Sequence, residues 1–355
     1  MAFVTIVNIL AVIIVALTGK TKDSNKWWRF VIMSLILIYG IRYMYGNDYE
    51  PYSLIFKELK SYSSLSIMFS QLGYEKGWIL LNSLFLPLGF EGVVFVQTFI
   101  IFGTIGWLYA KYVPARDRWL ALFFYLFITE LMLISLSAMR QSVAMAIVCL
   151  SIPFIIDKKY LKSIAVIIVA SLFHTTALFA ICIPLTQLAY KISRIKYVII
   201  ALTLFVLFYA LISYFKENIE MIVTLLVPEY DRYLVGEESE LSVGFGTIAR
   251  LGLMIVALKL DKHDGSVESF FLKIFVFSNL FLPLSFVNGM AARIAWYWYI
   301  FTPISLCYIK TYTRNKLVLA ALLLFVLLTI VGYNAHFNSE VYGPFYEKYN
   351  TILFK

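Results

Sequence analysis

Apolar residues run through this chain in long unbroken stretches, neither alternating as in a half-buried strand nor confined to the stripe of a surface helix. A stretch of roughly 17 to 25 mostly apolar residues predicts a bilayer-spanning helix. Twelve candidates occur, near 2–19, 30–45, 92–111, 119–138, 142–156, 161–173, 174–190, 197–215, 244–259, 270–287, 291–309 and 317–333. Several are short, and the two meeting at Phe173-His174 form either a tight hairpin or one broken span. The pattern predicts an all-α polytopic membrane protein of about twelve transmembrane helices, one integral membrane domain over 1–355. A β-barrel, whose strands would alternate at every second position, is excluded.

Three longer polar segments separate or follow these runs: 46–91, 216–243 and the tail 334–355. Within the first, Trp78 to Pro87 is amphipathic but too short to span, and it predicts an interfacial or re-entrant helix. The first apolar run lacks a small-residue cleavage site and reads as a retained span.

Composition agrees with the pattern. Hydrophobic residues make up 61% of the chain and charged residues 14%, where soluble domains carry about a quarter charged. Charge then sets the orientation, because lysine and arginine in short loops mark the cytoplasmic side. With the amino terminus outside, the inner loops carry Lys20, Lys22, Lys26, Arg29, Lys111, Arg116, Arg118, Lys158, Lys159, Lys162, Lys191, Arg194, Lys196, Lys259, Lys262, Lys310, Arg314 and Lys316. These are 18 of the 30 basic residues. The net charge of +9 is therefore a topology signal, and no nucleic-acid partner is expected. The three long segments fall on the extracytoplasmic side, as do both termini. The inner loops leave no room for a nucleotide-binding domain, and no Walker or GxGxxG motif is present.

The scattered Cys149, Cys182 and Cys307 offer no disulfide framework. No histidine and carboxylate set has metal-ligand spacing, so neither a metal nor a cofactor is expected.

Ionisable residues within the apolar runs are costly, at least ~2.5 kcal/mol each on insertion scales, and so mark candidate chemistry. Arg42, Arg140, Arg250 and Arg293 all fall near the outer level of their spans, with His174 at an outer turn and Asp48 just beyond the Gly46-Asn47 turn. Each arginine alone could snorkel to headgroups or pair with an acid. Four at one depth suit a multiply charged anion such as a diphosphate, since a guanidinium grips phosphate oxygens two at a time. Asp48 is either a base or a partner of Arg42, and His174 either a proton acceptor or a structural group. Glu130 reads as a mid-span residue that is paired or protonated. His263 and His336 read as loop residues without a role. The run Trp296-Tyr297-Trp298-Tyr299 supplies rings for the interfacial belt or for a glycan groove, Tyr297 among them.

Several segments together resemble the EpsG family of the Wzy-like bacterial polysaccharide polymerases. They are Arg42-Tyr-Met-Tyr-Gly46-Asn-Asp48-Tyr49-Glu-Pro-Tyr52, Glu75-Lys-Gly-Trp-Ile-Leu-Leu-Asn82, Met139-Arg140-Gln141-Ser-Val-Ala144 and Phe173-His174-Thr-Thr-Ala177-Leu178. Arg293 with its following aromatics and the Pro-Phe-Tyr of the tail complete the set. The resemblance implies a multi-pass enzyme of the bacterial inner membrane, compatible with a GT-C-like architecture. Such an enzyme joins oligosaccharide units carried on undecaprenyl diphosphate at the outer face, making O-antigen, capsule or exopolysaccharide. Its partners would be the lipid-linked oligosaccharide, membrane lipids and a chain-length regulator protein. On this basis Asp48, His174, Arg140 and Arg293 are the catalytic candidates. Arg42, Arg250, Tyr52, Gln141 and Tyr297 are the candidates for holding diphosphate or glycan. A flippase for the same lipid, or a ligase that passes on the finished chain, are the alternative readings.

Overall fold

The computed structural model describes residues 2–207, 210, 245–281 and 289–354. Apart from two short paired strands, its regular elements are helical. They fall into two compact units, 1–181 with 329–355, and 182–328.

The first unit opens with a hairpin of apolar helices, α1 (Ala2–Thr18) and α2 (Ser24–Gly40). The first strand, β1 (Arg42–Tyr43), follows, and then three short helices, α3 (Tyr49–Leu59), α4 (Leu65–Gln71) and α5 (Lys76–Leu84). Next come α6 (Phe90–Tyr112), α7 (Arg118–Phe127), α8 (Met132–Ser137), α9 (Met139–Ile156) and α10 (Tyr160–Ser171). Helices α2 and α6 pack closely because Gly106 lets Ile32 approach and the Trp28 indole donates to the Gly106 carbonyl at 2.9 Å. At the unit's centre the buried Asn8 joins two tyrosines. It accepts from Tyr39 Oη at 2.7 Å and donates to Tyr333 Oη at 3.4 Å. In an apolar interior such groups must find one another.

The tail closes the same unit. Strand β2 (Asn350–Thr351) pairs antiparallel with β1, setting Arg42 opposite Thr351 and Tyr43 opposite Asn350. The Ile352 amide donates to Ile41 O at 3.0 Å and the Gly46 amide to Phe345 O at 3.1 Å. Gly46 has φ of +111°, and a Cβ there would lie 2.9 Å from Ser137 Oγ, so both backbone and space call for glycine.

The second unit contains α11 (Ile183–Leu188), a helical stretch over 194–207, α12 (Phe245–Leu260), α13 (Val267–Leu280), α14 (Gly289–Tyr299) and α15 (Thr302–Tyr312). Helix α13 packs on α12, α14 and α15. Its buried Lys273 pairs with Asp261 at 2.9 Å, and the Ser269 hydroxyl donates to the same carboxylate. The His263 amide also donates to Asp261, at 2.8 Å, so His263 lies in this buried knot. The last helix, α16 (Lys316–Phe337), runs from the second unit into the first.

Among the described residues three helices are long and apolar enough to cross a membrane: Phe90–Tyr112, Met139–Ile156 and Lys316–Phe337. Exposed apolar rows such as Ile6, Ile9, Leu10 and Ile13 on α1, and Leu323, Leu324, Leu327 and Val331 on α16, have no place in water. Hydrocarbon accommodates them. The chain is an all-α membrane protein. Among the described residues twelve continuous spans are not shown, and several expected runs are interrupted. The run 119–138 divides into α7 and α8 around 128–131, where Glu130 sits in the turn and not mid-helix, accepting from the Thr129 hydroxyl at 3.0 Å. The run 174–190 becomes a 3-10 helix over Thr175–Cys182, the short α11 and a further 3-10 turn over Ala189–Lys191. The run 291–309 breaks at 300–301, and Pro303 starts α15 where its missing amide costs nothing. The expected loop 216–243 lies outside the described residues. The expected helix after Trp78 is α5, a short element of the first unit.

Candidate functional site

One aromatic cluster in the first unit supports the site. Tyr49, Tyr52 and Phe56 of α3 pack with Trp78 of α5, with Phe90, Val93 and Val94 of α6, and with Met139 of α9. These apolar positions recur at helical spacing on α3, which is why this polar, tyrosine-rich segment folds back onto the membrane helices. Tyr52 meets Trp78 edge to face at 5.3 Å between ring centres, a favoured aromatic arrangement. Met139 holds the first turn of α9 in the cluster, and the next residue is Arg140.

Arg140 stands on the rim of this cluster. Its Nη1 donates to Glu75 Oε2 at 2.6 Å and its Nε to Tyr52 Oη at 3.3 Å. The guanidinium carbon lies 5.0 Å from the ring centre of Tyr74 and 5.9 Å from that of Tyr52. The side chain keeps 24% of its surface open. These contacts account for two of the five donors that a guanidinium carries. The other oxygen of Glu75 accepts from the Thr175 amide at 3.2 Å. This brings the turn that carries His174 against the same carboxylate. His174 is half-buried, and its Nδ1 lies 2.6 Å from Thr176 Oγ1. Gln141 is buried inside the protein.

Arg42 is different. It is fully buried, and it donates to Tyr39 O at 2.9 Å, Thr98 Oγ1 at 2.6 Å, Gln97 Oε1 at 3.0 Å and Leu136 O at 3.1 Å. Its hydrogen bonds run to neutral protein acceptors, not to Asp48. Asp48 instead starts α3 one turn before Tyr52, with its carboxylate accepting from Asn47 Nδ2 at 3.0 Å. The tail locks this turn. The Tyr346 hydroxyl reaches Ser137 Oγ, Leu133 O at 3.2 Å and Asn47 Oδ1 at 3.4 Å. Burial pushes the Tyr346 phenol above its ordinary pKa, and the charge of Asp48 works in the same direction. Asp48, Tyr52, Arg140, Glu75 and the His174 turn thus belong to one contiguous region of the first unit.

Arg250 and Arg293 belong to the second unit. The Arg250 guanidinium lies 4.3 Å from the ring centre of Tyr299, and that of Arg293 lies 5.7 Å from the ring of Trp296. The aromatic run expected to divide between a belt and a groove is instead buried throughout, with Tyr297 fully enclosed. Two residues that sequence reasoning did not place at the site are Glu75 and Tyr74. Glu75 begins one of the segments that carry the family resemblance, but an acid in a polar loop gives no sign of its partner 65 residues away.

Residues 25–350 match the EpsG family. The match covers nearly the whole chain, which belongs to this family of Wzy-type polysaccharide polymerases. Comparison with curated proteins and with solved structures gives no match. Family membership and fold together define a membrane-embedded polysaccharide polymerase of glycosyltransferase type.

Proposed function

We propose that the protein joins oligosaccharide repeat units carried on undecaprenyl diphosphate, at the outer face of the bacterial inner membrane. The acceptor hydroxyl oxygen bonds to the donor's anomeric carbon while the bond from that carbon to the lipid diphosphate breaks. The departing diphosphate takes the electron pair, and the hydroxyl proton passes to Asp48 or His174. Negative charge therefore grows on the diphosphate as the bond stretches. A fixed arginine at that position favours the transition state over the ground state, which is what catalysis requires.

The observation that carries this reading is Arg140, an accessible guanidinium held beside two tyrosine rings and within one side chain of the His174 turn. Its cation suits a phosphate, and the flat rings suit sugar faces. Tyr52 orients the fork. Arg250 and Arg293, each beside an aromatic ring, are proposed phosphate-binding groups of the second unit. The lysine and arginine distribution supports the outer side. A chain-length regulator would be an accessory to the reaction, not a source of its chemistry.

The test supplies purified protein in detergent or vesicles with a synthetic undecaprenyl-diphosphate-linked repeat unit and no nucleotide or ion gradient. A ladder of polymer is expected. Movement of the lipid across the bilayer without new glycosidic bonds would overturn the reading in favour of a flippase.

A further inference from the structure

Glu75 sits at the amino-terminal cap of α5 with extended backbone, φ −63° and ψ 137°, yet its carboxylate does not cap its own helix. A carboxylate at that position commonly accepts from the first-turn amides. Here both oxygens turn outward to other parts of the chain. Oε2 receives Arg140 of α9 at 2.6 Å and Oε1 receives the Thr175 amide at 3.2 Å, partners 65 and 100 residues away. A second bond runs beside them, from the Gly77 amide to Leu172 O at 2.7 Å. A Cβ on Gly77 would stand 2.6 Å from that carbonyl oxygen, so the first turn of α5 is fitted tightly against the 172–175 turn.

We propose that Glu75 is a positioning residue for glycosyl transfer, with one side chain fixing both the Arg140 fork and the turn that carries His174. This rests on the function proposed above. Arg140 keeps the orientation in which its remaining donors face an incoming phosphate, and His174 keeps a fixed distance from it. The arrangement saves orientational freedom that would otherwise be lost at each turnover.

Two readouts on the full chain test it. The first is hydrogen exchange, followed in detergent by mass spectrometry and independent of any reaction. Glu75→Ala is expected to speed exchange in peptides covering 172–177 by about tenfold or more, as loss of a protecting bond does. Glu75→Gln keeps a neutral acceptor for Thr175 and is expected to speed it much less. Unchanged exchange in Glu75→Ala would overturn the proposal. The second is a double-mutant cycle on polymer formation. Glu75→Gln is expected to lower kcat about tenfold in the wild-type background, but less than about threefold in an Arg140→Lys background, where the fork it orients is gone, with Glu75→Asp restoring part of the rate. Equal losses in the two backgrounds would show that Glu75 acts independently of Arg140 and would overturn the assignment. If the wild-type protein forms no polymer, the proposed function falls, and the exchange readout alone decides the role of Glu75.

Discussion

Arg42 and Arg140 are two arginines of one structural unit, both near helix ends, both costly to place in an apolar setting, and they are used in opposite ways. Arg42 is sealed inside and bonded to two backbone carbonyls, a threonine and a glutamine. It ties α2, α6 and, through Leu136, α8 together, next to the start of β1. Arg140 stays a quarter open, faces two tyrosine rings and is balanced by a carboxylate. A buried cation surrounded by neutral dipoles is a structural fastener, whereas a cation with an open edge has an interaction left to make. An arginine in a membrane segment is thus a functional hypothesis only until its acceptors are known.

The largest effect expected from this contrast is on stability. Arg42→Met strands several buried acceptors, each worth about 1–3 kcal/mol when left unsatisfied. The variant is expected to lose about 4 kcal/mol or more of a total that is itself only about 5–15. Thermal unfolding of the detergent-purified protein measures this, and a melting temperature equal to wild type would place Arg42 outside the structural core. Next comes Gly77→Ala, which forces a methyl group against the Leu172 carbonyl and is expected to cost about 1–3 kcal/mol. Its readout is the same melt together with faster amide exchange over 172–177, and an unperturbed turn would contradict the tight fit described for α5. The smallest effect belongs to Tyr52→Phe. It removes one hydrogen bond to Arg140 Nε, worth roughly 0.5–1.5 kcal/mol, so turnover should drop about three- to tenfold while the melt stays in place. A melt that moves as far as the rate would make Tyr52 a core residue and nothing more.

How much of this was legible beforehand follows from what hydropathy measures. The runs that became α1, α6, α9 and α16 are apolar enough to be read directly, and so was the short helix after Trp78. The interruptions at 128–131 and 300–301 were not, because the flanking residues are as apolar as the helices they separate. A break there is decided by tertiary partners that re-satisfy the freed backbone groups. At the site, Arg140 and the His174 turn stand out as ionisable residues in unlikely places, and Tyr52 through the resemblance of the segment that carries it. The fate of Arg42 was hidden because its side-chain acceptors, Gln97 and Thr98, stand 55 and 56 residues further on. Glu75 was hidden for the same reason, since one chain reveals charges but not the pairs they make. The tail's part is half legible: the Pro-Phe-Tyr stretch belongs to the family resemblance, while the strand pairing with β1 rests on two residues, too few to leave a pattern.

In the proposed reaction Arg140 meets the lipid diphosphate and stabilises the charge that forms there. Its most direct test is single-turnover transfer between two lipid-linked repeat units by wild type and by Arg140→Ala, at matched amounts of folded, monodisperse protein. The variant is expected to melt as wild type does but to transfer about 10²–10³-fold more slowly, as loss of a preorganised charge donor does elsewhere. Equal transfer rates in the two proteins would contradict it.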